Sequence, residues 1–184
     1  MSLSSKDRAF LLESIRNVPD FPKAGVQFKD ITTIVGNPKA FKTIIDHLAD
    51  RYKNAKIDYV VGAEARGFLF GAPLSIALGA GFAPIRKPGK LPYTTASEKY
   101  ALEYGFDEVQ IHIDAFSAIK DARALFIDDL IATGGTAEAS IRLIERIGAK
   151  CVEAAFVVNL FALKGDERIK KLTNFYSILD VDGD

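Results

Sequence analysis

The 184-residue chain contains one cysteine, one methionine, two histidines and no tryptophan. A single thiol excludes an intramolecular disulfide framework and fits a reducing compartment. That thiol, Cys151, opens the apolar run Val152 to Val158, where a buried, inert side chain is expected rather than a nucleophile. Histidine and cysteine are so sparse that no cluster has metal-ligand spacing, and no metal held directly by the protein is expected. An excess of one charge is missing too, because 24 Lys and Arg balance 24 Asp and Glu. Such a balance gives no global pull toward nucleic acid or an anionic membrane. No apolar run approaches the ~18 residues of a membrane span, and Met1 to Lys6 carry no signal-peptide core. Cytoplasm is the expected location.

Repeats, low-complexity tracts and breaks in composition are also absent, so one domain over 1–184 is expected. What the chain does have is alternation of helical and strand patterns. Ser4 and Ser5 precede a helix carrying Phe10, Leu11, Ile15 and Val18, expected to stop before Pro19. Asn37-Pro38 opens a second, in which Phe41, Ile44, Ile45 and Leu48 recur at helical spacing. Strands are expected at 58–62, 82–86, 109–113, 124–128, 152–158 and 175–179, and further helices at 67–78 and 135–148. Residues 87–107 are polar and contain Gly and Pro; a loop of about twenty residues reads as an active-site lid. The alternation predicts an α/β fold with a central, mostly parallel sheet flanked by helices. Ligands of such sheets bind beyond the carboxyl ends of the strands, here after Gly62, Arg86, Ile127 and Val158.

One of those ends stands out. An apolar strand, Leu125-Phe-Ile, delivers two adjacent carboxylates, Asp128 and Asp129, and Leu-Ile-Ala-Thr-Gly-Gly-Thr136 then leads into a helix. Gly134 and Gly135 allow backbone dihedrals that turn successive N–H groups toward one anion. The helix adds its free N–H groups and the positive end of its dipole, and Thr133 and Thr136 add hydroxyl donors. No Lys follows the glycines, so this is not a nucleoside-triphosphate loop of the Walker type. It is a monophosphate cradle.

This segment resembles the phosphoribosyl-diphosphate-binding motif of the type I phosphoribosyltransferases. The resemblance implies that family's fold with a small N-terminal hood over 1–35. It implies that Asp128 and Asp129 hold the ribose 2- and 3-hydroxyls while Ala132 to Thr136 hold the 5-phosphate. Carboxylates there suit the chemistry, because displacing diphosphate develops positive, oxocarbenium-like charge on the ribose.

Three further segments are similar to the adenine branch of the family. Gly62-Ala-Glu-Ala-Arg-Gly-Phe68 resembles its diphosphate loop, with Glu64, Ala65 and Arg66 in contact and a cis peptide falling near Glu64-Ala65. Arg86-Lys-Pro-Gly-Lys-Leu-Pro92 brings Arg86, Lys87 and Lys90 to the same diphosphate. Ser97 to Tyr104 resembles a mobile catalytic loop within 87–107. There Glu103 would assist proton transfer at the base and Tyr104 would close the site. Read alone, Glu103 is equally an exposed loop carboxylate. Pro22 to Ile31 resembles the base-covering hood, in which Phe28 stacks on the purine and the backbone around Gln27 and Lys29 reads its edge. The Val-Gln-Phe-Lys run departs from members with an apolar residue or Arg at these places. The implied reaction joins adenine and phosphoribosyl diphosphate into AMP and diphosphate for purine salvage. Mg2+ would arrive on the substrate, and the protein would be a homodimer without nucleic-acid or membrane partners.

Overall fold

The computed structural model describes residues 3–21, 23–101 and 105–182. Helix α1 (Ser5–Glu13) is capped by Ser4, whose hydroxyl accepts from the Asp7 N–H. It ends well short of Pro19, against expectation. Arg16–Pro19 instead forms strand β1, antiparallel to β2 (Gln27–Asp30), with Arg16 opposite Asp30 and Val18 opposite Phe28. The reason lies across the hairpin. Asp30 accepts from Arg16 and from both the hydroxyl and N–H of Thr32, which pulls its pKa down to about 2.

A short helix α2 (Thr32–Val35) leads to α3 (Pro38–Tyr52), where the Asn37 side chain accepts from the N–H groups of Lys39 and Ala40. Next come β3 (Tyr59–Ala63), α4 (Arg66–Leu78) and β4 (Gly81–Ile85). Part of the stretch expected to be a loop, 87–107, then proves to be strand. β5 (Thr95–Ala101) and β6 (Phe106–His112) pair antiparallel along their full lengths, and a bridge from Arg86 to Gln110 ties the hairpin to the end of β4. Polar side chains hid this hairpin in the sequence because only part of each strand is buried. The chain closes with β7 (Arg123–Ile131), α5 (Gly135–Arg146), β8 (Lys150–Leu160), α6 (Gly165–Ile169) and β9 (Asn174–Val181).

The main sheet is parallel throughout, in the order β4-β3-β7-β8-β9. Alternate residues of β7 feed two cores. Leu125 and Ile127 join Val60, Val157, Ile44, Leu48 and Phe70 beneath α3 and α4. Phe126 joins Val61, Phe156, Ile141 and Ile144 beneath α5, where Val109 and Ile111 of the hairpin also pack. Both faces are covered, as a parallel sheet requires. Phe126 is fully buried, and truncating it to alanine would cost about 3–5 kcal/mol. Cys151 is buried in the same core, and burial pushes its thiol up to about 12. Among the described residues no helix is long and apolar enough to cross a membrane.

Candidate active site

The carboxyl end of β7 lies at the centre of the sheet, with β3 on one side and β8 on the other. Asp128 and Asp129 stand at this end, and the chain turns after them into α5. Gly134 has φ +79°, a left-handed conformation that glycine adopts without strain, and its carbonyl accepts from the Glu138 N–H as the first turn of α5 forms. The turn is backed by Gly165. A Cβ there would sit 2.2 Å from the Ala132 carbonyl oxygen and 2.9 Å from the Gly134 nitrogen. Only a residue without a side chain lets α6 press this closely on the turn.

Gly67 does the same at the first turn of α4, where a Cβ would lie 2.9 Å from the Ile127 carbonyl oxygen and 3.0 Å from Asp128 Oδ1. The start of α4 is therefore seated directly against Asp128. The Glu64-Ala65 peptide that precedes this helix is cis.

These elements enclose a cavity of about 380 Å³. Its walls bring together Glu64, Ala65, Arg66, Lys87, Asp128, Asp129 and the turn residues Ala132, Thr133, Gly134, Gly135 and Thr136. Arg66 Nε donates to Asp129 Oδ2 at 2.6 Å, so one carboxylate is compensated by a cation. Among the described residues no cation is hydrogen-bonded to Asp128. Burial and then the adjacent Asp129 charge raise its pKa well above the usual carboxylate range, and its Oδ1 accepts from the Asp129 N–H at 2.8 Å. Glu64 moves the other way, because it accepts from the Lys87 N–H at 2.8 Å and from the Arg86 guanidinium.

The cations expected at the diphosphate thus separate. Lys87 lines the cavity, whereas Arg86 turns to Glu64 and its guanidinium also donates to the Lys90 carbonyl; neither Arg86 nor Lys90 lies in the cavity wall. Lys87 Nζ donates to the Tyr100 hydroxyl at 3.0 Å and pairs with Asp107. Burial works against that ammonium, but the bonds to Asp107 and Tyr100 outweigh it and hold its pKa above the usual lysine value.

Gln27, Phe28 and Lys29 lie on β2, outside the cavity wall. The Phe28 ring meets Phe21 edge-on at 5.1 Å and stands 5.9 Å from the Arg66 guanidinium, so the hairpin faces the site's rim. Glu103 and Tyr104 lie outside the described residues. Sequence reasoning missed Gly67, Gly165 and Tyr100. For the glycines the local pattern held a signal, since Gly67 follows the Arg66 singled out by motif and Lys164-Gly165 follows a strand end. Tyr100 offered none, because its partners come from three separate segments.

A carboxylate pair beside an anion cradle at a helix start, with a lysine lining the same cavity, defines a site for a phosphorylated, hydroxyl-bearing sugar with a second anionic group. Residues 30–183 match the phosphoribosyl transferase domain family. The adenine phosphoribosyltransferase of Sulfurimonas denitrificans is 58% identical over 181 residues, covering 98% of this chain and 100% of that one. The crystal structure of adenine phosphoribosyltransferase from Rhodothermus marinus matches with a TM-score of 0.90 at 45% identity, over 97% of this chain and 100% of that one. The Saccharomyces cerevisiae enzyme, crystallised with an imino-altritol bisphosphate and adenine, matches with a TM-score of 0.87 at 39% identity, over 96% and 100%. The chain belongs to the phosphoribosyltransferase family and is a transferase.

Proposed function

We propose that this chain joins adenine to the phosphoribosyl group of phosphoribosyl diphosphate, giving AMP and diphosphate in purine salvage, and that it does so above Asp128 and Asp129. The observation that carries the reading is the shared cavity, in which that carboxylate pair, the Gly134 turn, Arg66 and Lys87 line one space. The relatives from Sulfurimonas, Rhodothermus and Saccharomyces bear the same activity in their names.

In this reading the 5-phosphate sits on the turn from Ala132 to Thr136, where the start of α5 supplies N–H donors and a favourable dipole. Asp128 and Asp129 take the ribose hydroxyls. The bond from C1 to the diphosphate oxygen breaks and its electron pair leaves with diphosphate, toward Arg66 and Lys87. Asp128, unpaired by any cation and held in a low-dielectric position, is favoured as an anion once positive charge grows on the ribose. Adenine N9 bonds to C1 and gives up its proton, with Glu103 as the acceptor. Phe28 on the β1–β2 hairpin covers the purine, and backbone groups of Gln27 and Lys29 read its amino edge. Residues 87–107 act as the lid that keeps water from the activated ribose.

Among the described residues no group of three His, Cys, Asp or Glu is placed to hold a metal. The cavity's oxygen donors suit a hard cation, but Asp129 and Glu64 are already bonded to arginines. The residues fit Mg2+ brought in with phosphoribosyl diphosphate rather than held by the protein, and there it would supply charge neutralisation for the leaving group. The assembly is a homodimer and the compartment the cytoplasm. Leu69 and Ile76, both exposed on one side of α4, support a self-association face.

Diphosphate release measured with phosphoribosyl diphosphate, Mg2+ and adenine, hypoxanthine, guanine or xanthine supplied separately tests the reading. Release with adenine alone is the expected result. Release only with a 6-oxopurine would keep the transferase and overturn the hood assignment.

A further inference from the structure

Tyr100 is bonded to two residues that line the cavity. Its ring lies against the phosphate turn, 3.1 Å from where a Gly135 Cβ would stand. Its hydroxyl accepts from Lys87 Nζ at 3.0 Å and from Thr136 Oγ1 at 3.0 Å, and donates to Asp107 Oδ2 at 2.9 Å. A phenolic oxygen has one proton to give and two lone pairs, so its bonding capacity is filled. Lys87 and Thr136 both line the cavity, the one a cation assigned to the diphosphate and the other a hydroxyl assigned to the 5-phosphate cradle. They come from the loop after β4 and the start of α5, and share no other hydrogen-bonded bridge in the structure's described residues. Asp107, across the hairpin at Tyr100's paired position, fixes the same ammonium from the other side.

We propose that Tyr100 is a positioning residue whose hydroxyl sets the separation between Lys87 and Thr136, and so matches the cavity to a sugar carrying phosphate groups at both ends. The inference rests on the reading of this cavity as a phosphoribosyl diphosphate site. It gives the hairpin a role apart from its tip. Strand β5 spaces the two anion subsites, and the Gly135 position must stay small because the tyrosine ring fills the space a side chain would need. Recognition of a doubly anionic ligand depends on two fixed points, and a misplacement of about 1 Å at one of them is costly for the intact ligand. Either half of the ligand alone needs only one point.

The test is Tyr100→Phe, which keeps the ring against Gly135 and removes only the hydroxyl. KM for phosphoribosyl diphosphate should rise about tenfold, the loss of one hydrogen bond to a charged group. KM for adenine should stay within about twofold. Inhibition constants for inorganic diphosphate alone and ribose 5-phosphate alone should each change by less than about threefold, because neither engages Lys87 and Thr136 together. Asp107→Asn, which loosens Lys87 from the other side, should show the same pattern and serves if Tyr100→Phe does not fold. Unchanged KM for phosphoribosyl diphosphate in both variants would overturn the proposal. So would equal weakening of the whole ligand and of its two halves, which would mark a general loss of structure. Failure of the wild-type protein itself to turn over phosphoribosyl diphosphate would instead sink the functional reading on which the proposal rests.

Discussion

Replacing Gly165 with alanine adds one methyl group at the place where α6 meets the phosphate turn. The ideal Cβ would stand 2.2 Å from the Ala132 carbonyl oxygen, 2.9 Å from the Gly134 nitrogen and 2.9 Å from Ile131 Cγ1. Two of these neighbours are backbone, so no rotamer change relieves the contact and the two segments must part by about 1 Å. Overpacking of this kind costs about 1–3 kcal/mol. For a chain of this size each kcal/mol lowers Tm by about 2–4 °C, giving a drop of roughly 2–12 °C. In the proposed site the displaced turn holds the 5-phosphate, and a shift of about 1 Å in a positioning group can lower the rate by about a hundredfold. Thermal melting together with saturation curves in phosphoribosyl diphosphate and in adenine reads both effects. Gly79→Ala is the comparator. Its φ is +65° but nothing lies within 4 Å of a Cβ, so it should lose about 1–2 kcal/mol of stability with KM unchanged. If Gly165→Ala melts and saturates like wild type, the close packing of α6 on the turn is not what shapes the cradle.

The pH dependence follows from Asp128. Burial and the neighbouring Asp129 charge raise its pKa, so the acid limb of kcat/KM should lie above the ordinary carboxylate value of about 4. Asp129→Asn removes a raising charge and should move that limb to lower pH; a limb that stays or moves upward refutes the assignment. A carboxyl raised by folding contributes stability while protonated and loses it as pH rises through the folded value. Asp128→Asn should therefore raise Tm at neutral pH, and a lower Tm would contradict the burial and neighbouring charge assigned to this group. Phe28→Ala should raise KM for adenine about tenfold, the worth of one base–aromatic stack, and leave KM for phosphoribosyl diphosphate unchanged. Equal effects on both would place Phe28 elsewhere in the cycle.

The parallel α/β class was legible because β3, β7 and β8 are nearly continuous apolar runs and the helices between them carry helical spacing or caps. Asp128 and the glycine turn were legible because strand, acids, turn and helix are contiguous in the chain. The β1–β2 hairpin was not. Phe10, Leu11, Ile15 and Val18 suggest one helix until Arg16 finds Asp30, a partner 14 residues away. Strand β5, within the 87–107 stretch, read as loop for a related reason, whereas 109–113 read correctly as strand. One face of the hairpin stays wet, and its pairing is decided by the register between its strands rather than by an apolar alternation. The fate of Arg86 was hidden as well. Three clustered cations look equivalent in sequence, yet Glu64 takes Arg86 out of the cavity wall and leaves Lys87 in it. Tyr100 matters through contacts with Lys87, Asp107 and Thr136, which come from three separate segments, so no local pattern marks it.

The central claim is that AMP is made above Asp128 and Asp129. Its most direct test is the rate of AMP formation by the Asp128→Asn/Asp129→Asn variant at saturating phosphoribosyl diphosphate and adenine, with folding confirmed by melting. A loss on the order of a hundredfold or more, in a protein that still melts cooperatively, is the predicted result. A folded variant that forms AMP at the wild-type rate would contradict it.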